Sequence, residues 1–200
     1  MKTANILGLA AGLTLALSAT AFAAPITTPP PTLTATGDVT AFYVFSDAAN
    51  TSVLNETAPI GFPTIFCNHD TGSCNAANPG DTVPLGNQSG SLVFSLDNIT
   101  LSQTFFSNAV DGTDGFYHAL ISSDISDFGS VTIPTALSDL ITNNPGVDIT
   151  YIGWEDNNTP NSDYDYNDLI FAFANATTRQ IPTPEPTTLA LLGTGLAGLA

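Results

Sequence analysis

The hydrophobic positions between residues 38 and 178 mostly follow the two-residue period of half-buried β-strands. In the segment 91–99, for example, Leu92, Phe94 and Leu96 lie on one face of a strand, and the other face carries Ser91, Ser95 and Asp97. Clusters of Gly, Asn, Asp and Pro separate several such segments and favour turns. The predicted strands are 38–45, 91–99, 116–121, 129–133, 147–154 and 168–174.

One helix is predicted within this pattern, at residues 134–142. Pro134 suits the start of a helix, and the sequence Asn-Asn-Pro-Gly that follows residue 142 ends it. Many short strands joined by irregular turns predict an all-β domain over residues 38–178. We expect an antiparallel sandwich or a jelly-roll-like arrangement.

Both ends of the chain differ from this domain. Residues 1–23 combine Lys2, an apolar run and Ala21-Phe22-Ala23, which predicts a secretory signal peptide cleaved after Ala23. The alternative, a retained N-terminal anchor, would need a longer apolar run. Residues 24–37 are rich in Pro and Thr and predict an extended linker. A second linker is predicted at 179–186, before an apolar tail at 187–200.

The net negative charge of the chain excludes some classes of binding partner. The sequence has 18 Asp and Glu against 2 Lys and Arg, with a net charge of −16. Nucleic-acid binding is therefore not expected, because no basic surface can neutralise phosphates. An anionic membrane surface would also repel the chain, whereas divalent cations are natural partners of such a surface.

The two cysteines, Cys67 and Cys74, lie in the stretch Cys-Asn-His-Asp-Thr-Gly-Ser-Cys. In an exported protein, a disulfide is the expected state of such a pair. The alternative is a metal site formed by Cys67, His69 and Cys74, although a structural zinc site needs four ligands.

The densest group of acidic residues lies between the predicted strands 147–154 and 168–174. Carboxylates this close repel one another unless a cation lies among them, and Ca²⁺ takes six to eight oxygen ligands of these types. The spacing of the central residues resembles the start of an EF-hand loop, but Asp168 and Ala174 occupy its glycine and glutamate positions. The alternative is a series of Asx-turns. The candidate calcium ligands are Glu155, Asp156, Asp163, Asp165, Asn167 and Asp168.

Aromatic residues accompany these acids. Trp154, Tyr164 and Tyr166 could stack on sugar rings beside a bound cation, or they could pack in the core. A second acidic turn carries Asp111 and Asp114, which form either a weak cation site or only a turn. His118 lies in a predicted strand, where a half-buried, hydrogen-bonded side chain is expected.

No sequence motif of an enzyme is found. The chain lacks a nucleophile elbow, a His-Glu-x-x-His helix and a phosphate-binding loop. Acidic pairs of the kind that glycosidases use occur in almost any acidic protein. The sequence therefore favours a protein that is not an enzyme.

The C-terminal residues resemble the sorting signal of the PEP-CTERM family. Pro184, Glu185 and Pro186 precede the apolar stretch 187–200. The resemblance implies export by a Gram-negative bacterium and a precursor inserted in the membrane through a transmembrane helix. It also implies removal of the tail by an exosortase, and release to the cell surface or to an exopolysaccharide-rich extracellular matrix, as in a biofilm. The family's basic cluster is not found after Ala200, and the apolar run is shorter than the roughly 20 residues of a spanning helix. We therefore expect that the sequence is truncated within the signal.

The second half of the domain resembles an uncharacterised β domain that is frequent in such exported proteins. The resemblance rests on Gly-Trp-Glu-Asp, on Asp-Tyr-Asp-Tyr-Asn-Asp and on the upstream Phe-Tyr-His-Ala-Leu, and it implies calcium binding at the acidic residues named above. The expected function is structural or adhesive, in association with exopolysaccharide. A lectin-like carbohydrate-binding module is the alternative, and a secreted hydrolase is a third class.

Overall fold

Nine β-strands and one α-helix make up most of the regular structure of residues 24–179, the part of the chain that the computed structural model describes. All strand pairs are antiparallel, so the prediction of an all-β fold is confirmed. The strands are β1 (Thr32–Ser46), β2 (Ser52–Ala58), β3 (Phe62–Cys67), β4 (Thr82–Asn87), β5 (Gly90–Asn98), β6 (Gln103–Phe106), β7 (Ala119–Ser122), β8 (Ile149–Trp154) and β9 (Leu169–Arg179). A short 3-10 helix spans Ile125–Phe128, and α1 spans Thr135–Asn143.

The strands follow the order β3-β2-β5-β1-β9-β8-β7, with β4 beside β1 and β6 beside β5. The long strand β1 joins two layers. Its first residues pair with β5 around Leu33 and Leu92, and its middle pairs with β4 around Val39 and Gly86. One layer therefore contains β3, β2, β5 and β6, and the other contains β4, β1, β9, β8 and β7.

The main core lies between these two layers. Phe94 of β5 stacks on Phe173 of β9 with ring centroids 4.2 Å apart, and Phe66 of β3 stacks on Phe171. The opposite face of β9 is also buried, because Ile170 and its neighbours pack in a second cluster with Leu137 of α1. Burial on both faces explains why the sequence of residues 168–174 is almost continuously apolar. The arrangement is consistent with the predicted sandwich.

Most of the strongly apolar segments form the predicted elements. The strands at 38–45, 91–99, 147–154 and 168–174 are present, and the predicted helix matches α1 closely. Residues 129–133 are not a strand. They follow the 3-10 helix at Gly129, and Val131 and Ile133 pack on the second cluster without a strand partner. The strand predicted at 116–121 begins only at Ala119.

The domain begins within the segment 24–37 that the sequence predicts as a linker. Strand β1 starts at Thr32, and Leu33 is 1% exposed and pairs with Leu92 and Thr178. Further upstream, Ile26 forms an isolated β-bridge with Tyr117. Threonine is β-branched and is favoured in strands. A composition rich in Pro and Thr is therefore compatible with a strand as well as with a linker.

Within residues 24–179, no helix is long and apolar enough to cross a membrane. The predicted signal peptide, the motif Pro184-Glu185-Pro186 and the apolar tail lie outside the described residues.

Candidate metal centre

The candidate metal centre lies in the loop that connects β8 to β9. Glu155 and Asp156 directly follow β8, and Asp168 directly precedes β9. The two strands are antiparallel neighbours with Trp154 opposite Leu169, so the two ends of the loop meet. A hydrogen bond of 2.8 Å from the Asp156 backbone N–H to Asp168 Oδ2 joins them.

Carboxylates gather here in two groups that share Glu155. One group joins Glu155 with Asp163 and Asp165, and the other joins it with Asp156 and Asp168. In each group, the oxygens lie within 4.8 Å of one another. Oxygens bound to one Ca²⁺ at 2.3–2.6 Å are separated by at most about 5 Å, so either group could hold a metal ion.

Asn167 contacts one of these carboxylates, that of Asp165, through its nitrogen atoms. Its side-chain Nδ2 donates to Asp165 Oδ2 at 2.7 Å, and its backbone N–H donates to Asp165 Oδ1 at 3.2 Å. This Asx-type turn matches the alternative interpretation for these two residues. A role for Asn167 as an oxygen ligand stays a prediction.

Two of the carboxylates are deeply buried. Glu155 and Asp156 are each 1% exposed. Glu155 Oε2 accepts a hydrogen bond of 2.9 Å from the backbone N–H of Tyr164. Asp156 Oδ1 accepts from the side chains of Asn50 and Asn157, but Asp156 Oδ2 is buried without a hydrogen-bond partner. A buried carboxylate oxygen without a partner is unfavourable unless a proton or a cation lies beside it.

The pKa values of the cluster reflect this burial. Desolvation, together with the neighbouring charge of Asp168, raises the pKa of Glu155 to about 8. Desolvation also raises the pKa of Asp168 to about 6, and it raises the pKa values of Asp156 and Asp165. The sequence offers no compensating charge nearby, because residues 24–178 contain no lysine or arginine. Without a cation, the cluster therefore retains protons near neutral pH.

The aromatic residues beside the cluster are mostly packed in the fold. Trp154 is 0% exposed and Tyr166 is 2% exposed. A buried ring cannot stack on a sugar, so the prediction of sugar stacking is wrong for both residues, and they pack in the fold instead. The hydroxyl of Tyr166 accepts from the Ile26 backbone N–H and donates to the Tyr117 carbonyl. Tyr164 is half-buried, and its ring makes a T-shaped contact with the ring of Phe116 at a centroid distance of 5.6 Å. For Tyr164, glycan stacking stays a prediction.

The cysteines form no metal site. Cys67 and Cys74 are joined in a disulfide with Cα atoms 6.2 Å apart, as predicted. Both thiols are thereby used, and the alternative metal site with His69 is excluded.

A further cluster contains Asp111 and Asp114, which the sequence offered as a weak cation site or only a turn. Sequence reasoning missed that His118 meets these two acids. Ligand atoms of Asp111, Asp114 and His118 lie within 4.8 Å of one another. His118 is hydrogen-bonded, as expected, but it is 1% exposed and therefore fully buried instead of half-buried. The four-residue spacing of Asp114 and His118 was a usable signal, but Asn158 reaches the same cluster from the β8–β9 loop, which only the fold reveals.

No protein-family model matches this chain, and comparison with curated proteins and with solved structures also finds no match. Its function therefore has to be inferred from its own residues and their geometry.

Proposed function

We propose that this chain is an exported structural protein whose β domain is stabilised by Ca²⁺ bound in the β8–β9 loop. The observation that carries the proposal is the buried, uncompensated carboxylate group around Glu155, in which Asp156 Oδ2 has no hydrogen-bond partner. A cation bound there would offset the repulsion between these carboxylates and would tie the end of β8 to the start of β9.

The donor atoms favour calcium over softer metals. All five clustered side chains, Glu155, Asp156, Asp163, Asp165 and Asp168, offer carboxylate oxygens. Hard oxygen donors suit Ca²⁺, which accepts both monodentate and bidentate carboxylates. The spread of the oxygens over two groups also suits its flexible coordination better than the strict octahedron of Mg²⁺.

The proposed localisation of the protein is based on the sequence patterns at its two ends. The signal-peptide pattern at 1–23 and the motif Pro184-Glu185-Pro186 support export and exosortase processing, with only transient membrane insertion through the tail. The Cys67–Cys74 disulfide fits an oxidising compartment. We propose a structural or adhesive role at a Gram-negative cell surface or in the extracellular matrix, in association with exopolysaccharide. The lectin-like alternative is weakened by the burial of Trp154 and Tyr166.

Thermal unfolding in EGTA and across a calcium titration tests the calcium site. Extracellular calcium modules have Kd values of roughly 0.1–1 mM, so 10 mM Ca²⁺ should stabilise the fold by about 1.4–2.7 kcal/mol. For a domain of this size, the melting temperature should rise by roughly 3–11 °C.

Asp165→Ala should remove most of this calcium-dependent shift. Asp38→Ala is the matched control, because Asp38 is an exposed acid outside the loop, and it should keep the full shift. A melting temperature that stays the same from EGTA to 10 mM Ca²⁺ would leave only the Asx-turn interpretation.

A further inference from the structure

The second cluster, formed by Asp111, Asp114, His118 and Asn158, differs chemically from the calcium loop because it contains an imidazole. The side chains of His118 and Asp114 are only 2% and 5% exposed. Asn158 is 9% exposed and reaches Asp111 from the β8–β9 loop. Mixed nitrogen and oxygen donors in a buried position are typical of borderline metal ions and not of Ca²⁺.

The orientation of His118 leaves Nε2 as the ring nitrogen that points to the acidic side chains. His118 Nδ1 lies 3.1 Å from the carbonyl oxygen of Glu155, and a carbonyl can only accept, so Nδ1 carries a hydrogen. The ring is held further by Phe105, which stacks on it with centroids 4.1 Å apart. Donation of one ring N–H to a carbonyl is the usual second-shell support of a metal-binding histidine.

Nε2 of His118 faces only negative oxygens of Asp114. It lies 3.3 Å from Oδ1 and 3.2 Å from Oδ2. Because an ionised carboxylate cannot donate, a proton or a metal ion has to lie between these atoms. Two donors bound to one Zn²⁺ at about 2.0–2.2 Å are separated by roughly 3.2–3.5 Å in a tetrahedral site, which agrees with the observed spacing.

Asn158 is an independent indication of a ligand. Its Nδ2 lies 2.6 Å from Asp111 Oδ2, whereas its buried Oδ1 has no hydrogen-bond partner. Rotation of the amide by 180° would place Oδ1 beside Asp111 Oδ2. Two oxygens in that position repel each other unless a cation binds both, so in that orientation Oδ1 would be a metal ligand. The bound cation would then take the place of the hydrogen bond from Nδ2 to Asp111.

A cavity adjoins the cluster. It has a volume of about 160 Å³, and its wall includes Asp111, His118 and Phe105. This space borders Asp111 and His118 and leaves room for a water molecule as an additional ligand.

We infer that Asp111, Asp114 and His118 form a second metal site, specific for a borderline divalent ion such as Zn²⁺, with Asn158 Oδ1 as the fourth ligand. The inference does not depend on calcium binding in the β8–β9 loop. The two sites are nevertheless adjacent, because the carbonyl that orients His118 belongs to Glu155. Zinc bound here would fasten the turn at 111–115 to the loop that carries the calcium ligands.

Isothermal titration with Zn²⁺ tests the site on metal-stripped protein in saturating Ca²⁺, which occupies the acidic loop. We expect one zinc equivalent to bind. His118→Gln and Asp111→Asn should each weaken its affinity by at least about tenfold, since even the loss of an outer-shell partner costs 10–100-fold.

Two control variants separate this site from the rest of the molecule. His69→Gln changes the exposed histidine of the disulfide loop and should leave zinc binding unchanged. Asp165→Ala should remove most of the calcium-dependent shift in melting temperature but keep the zinc equivalent. Cooperative thermal unfolding of Asp111→Asn in EGTA would show that this variant folds.

Long-range ¹H–¹⁵N spectra of the histidine rings distinguish a metal from a proton at Nε2. With zinc bound, the Nε2 signal of His118 should shift on Zn²⁺ addition, while Nδ1 keeps its hydrogen. The inference is overturned if both ring nitrogens of His118 stay protonated in excess Zn²⁺, which would show a buried imidazolium paired with Asp114. Equal zinc binding by the wild type, His118→Gln and Asp111→Asn would overturn it as well.

Discussion

The substitution Glu155→Gln isolates the electrostatic cost of the acidic cluster. Glu155 is the carboxylate that both groups share, and glutamine keeps its length and shape while it removes the charge. The hydrogen bond from the Tyr164 backbone N–H to Oε2 can be accepted equally well by the glutamine carbonyl oxygen. The variant therefore changes the charge and little else.

The magnitude follows from the raised pKa of Glu155, about 8 in the folded protein against an ordinary value of 4.5. Between these values, the folded state binds more protons than the unfolded state, so the free energy of unfolding falls as pH rises. The slope is at most about 1.4 kcal/mol per pH unit for one carboxyl group. In EGTA, we therefore expect Glu155 alone to lower the free energy of unfolding by roughly 2–3 kcal/mol between pH 5 and pH 7.

Neighbouring acids share this effect. Asp168, whose pKa is raised to about 6, adds a loss of the same sign at lower pH, and Asp163 faces the same oxygens. In Glu155→Gln, the contribution of Glu155 to the fall in the free energy of unfolding with rising pH should disappear. In EGTA, Glu155→Gln should therefore equal the wild type near pH 5 and exceed its stability at pH 8 by a few kcal/mol, at roughly 1.4 kcal/mol per pKa unit. In 10 mM Ca²⁺, the order should reverse, because the variant lacks the shared ligand.

Urea unfolding from pH 5 to pH 8, in EGTA and in Ca²⁺, measures these differences. Trp154 is the single tryptophan of the chain, is fully buried and directly precedes Glu155, so its fluorescence reports on this region. Asp38→Asn, at an exposed position, is the control for general charge effects. If Glu155→Gln were less stable than the wild type in EGTA at pH 8, the carboxylates would not repel one another there, and the argument for a cation would fail.

Two further predictions concern packing and processing. A Cβ atom at Gly153 would overlap with the carbonyl oxygen of Tyr166 and the ring of Phe128, so Gly153→Ala should destabilise the fold by about 1–3 kcal/mol or more, as measured by urea unfolding. Gly146→Ala, where a Cβ atom meets nothing within 4 Å, should have little effect. In a host with an exosortase, mass spectrometry of the mature protein should find nothing after the motif at 184–186. Recovery of the intact tail on protein from the cell surface would contradict this processing.

The sequence alone determined the all-β class and several strand positions, because alternation and continuous apolar runs report burial directly. Segment 168–174 was recognisable because β9 is buried on both faces. Strands β2, β3, β4 and β6 were not predicted. Strand β2 carries the buried polar residue Glu56, and β4 contains Pro84 and Gly86, which are rare in strands. Their pairing depends on neighbours that are distant in sequence.

The same distinction holds for the candidate metal centre. The acids between residues 155 and 168 lie close together in the chain, so their assembly in one loop followed from their spacing and from the two strands beside them. The burial of Asp156 did not follow from the sequence, because Asn98 and Asn50 cover it from elsewhere in the fold.

Tertiary structure alone decided which of the remaining polar and aromatic residues meet. The sequence left open whether Trp154 and Tyr166 stack on sugar rings or pack in the core, and only the tertiary structure showed that they are buried. Asp111 and Asn158 are 47 positions apart, yet their side chains are in hydrogen-bond contact. Local patterns encode which face of a strand is apolar, but contacts between distant loops depend on how the sheets pack, and the sequence of either loop does not contain that information.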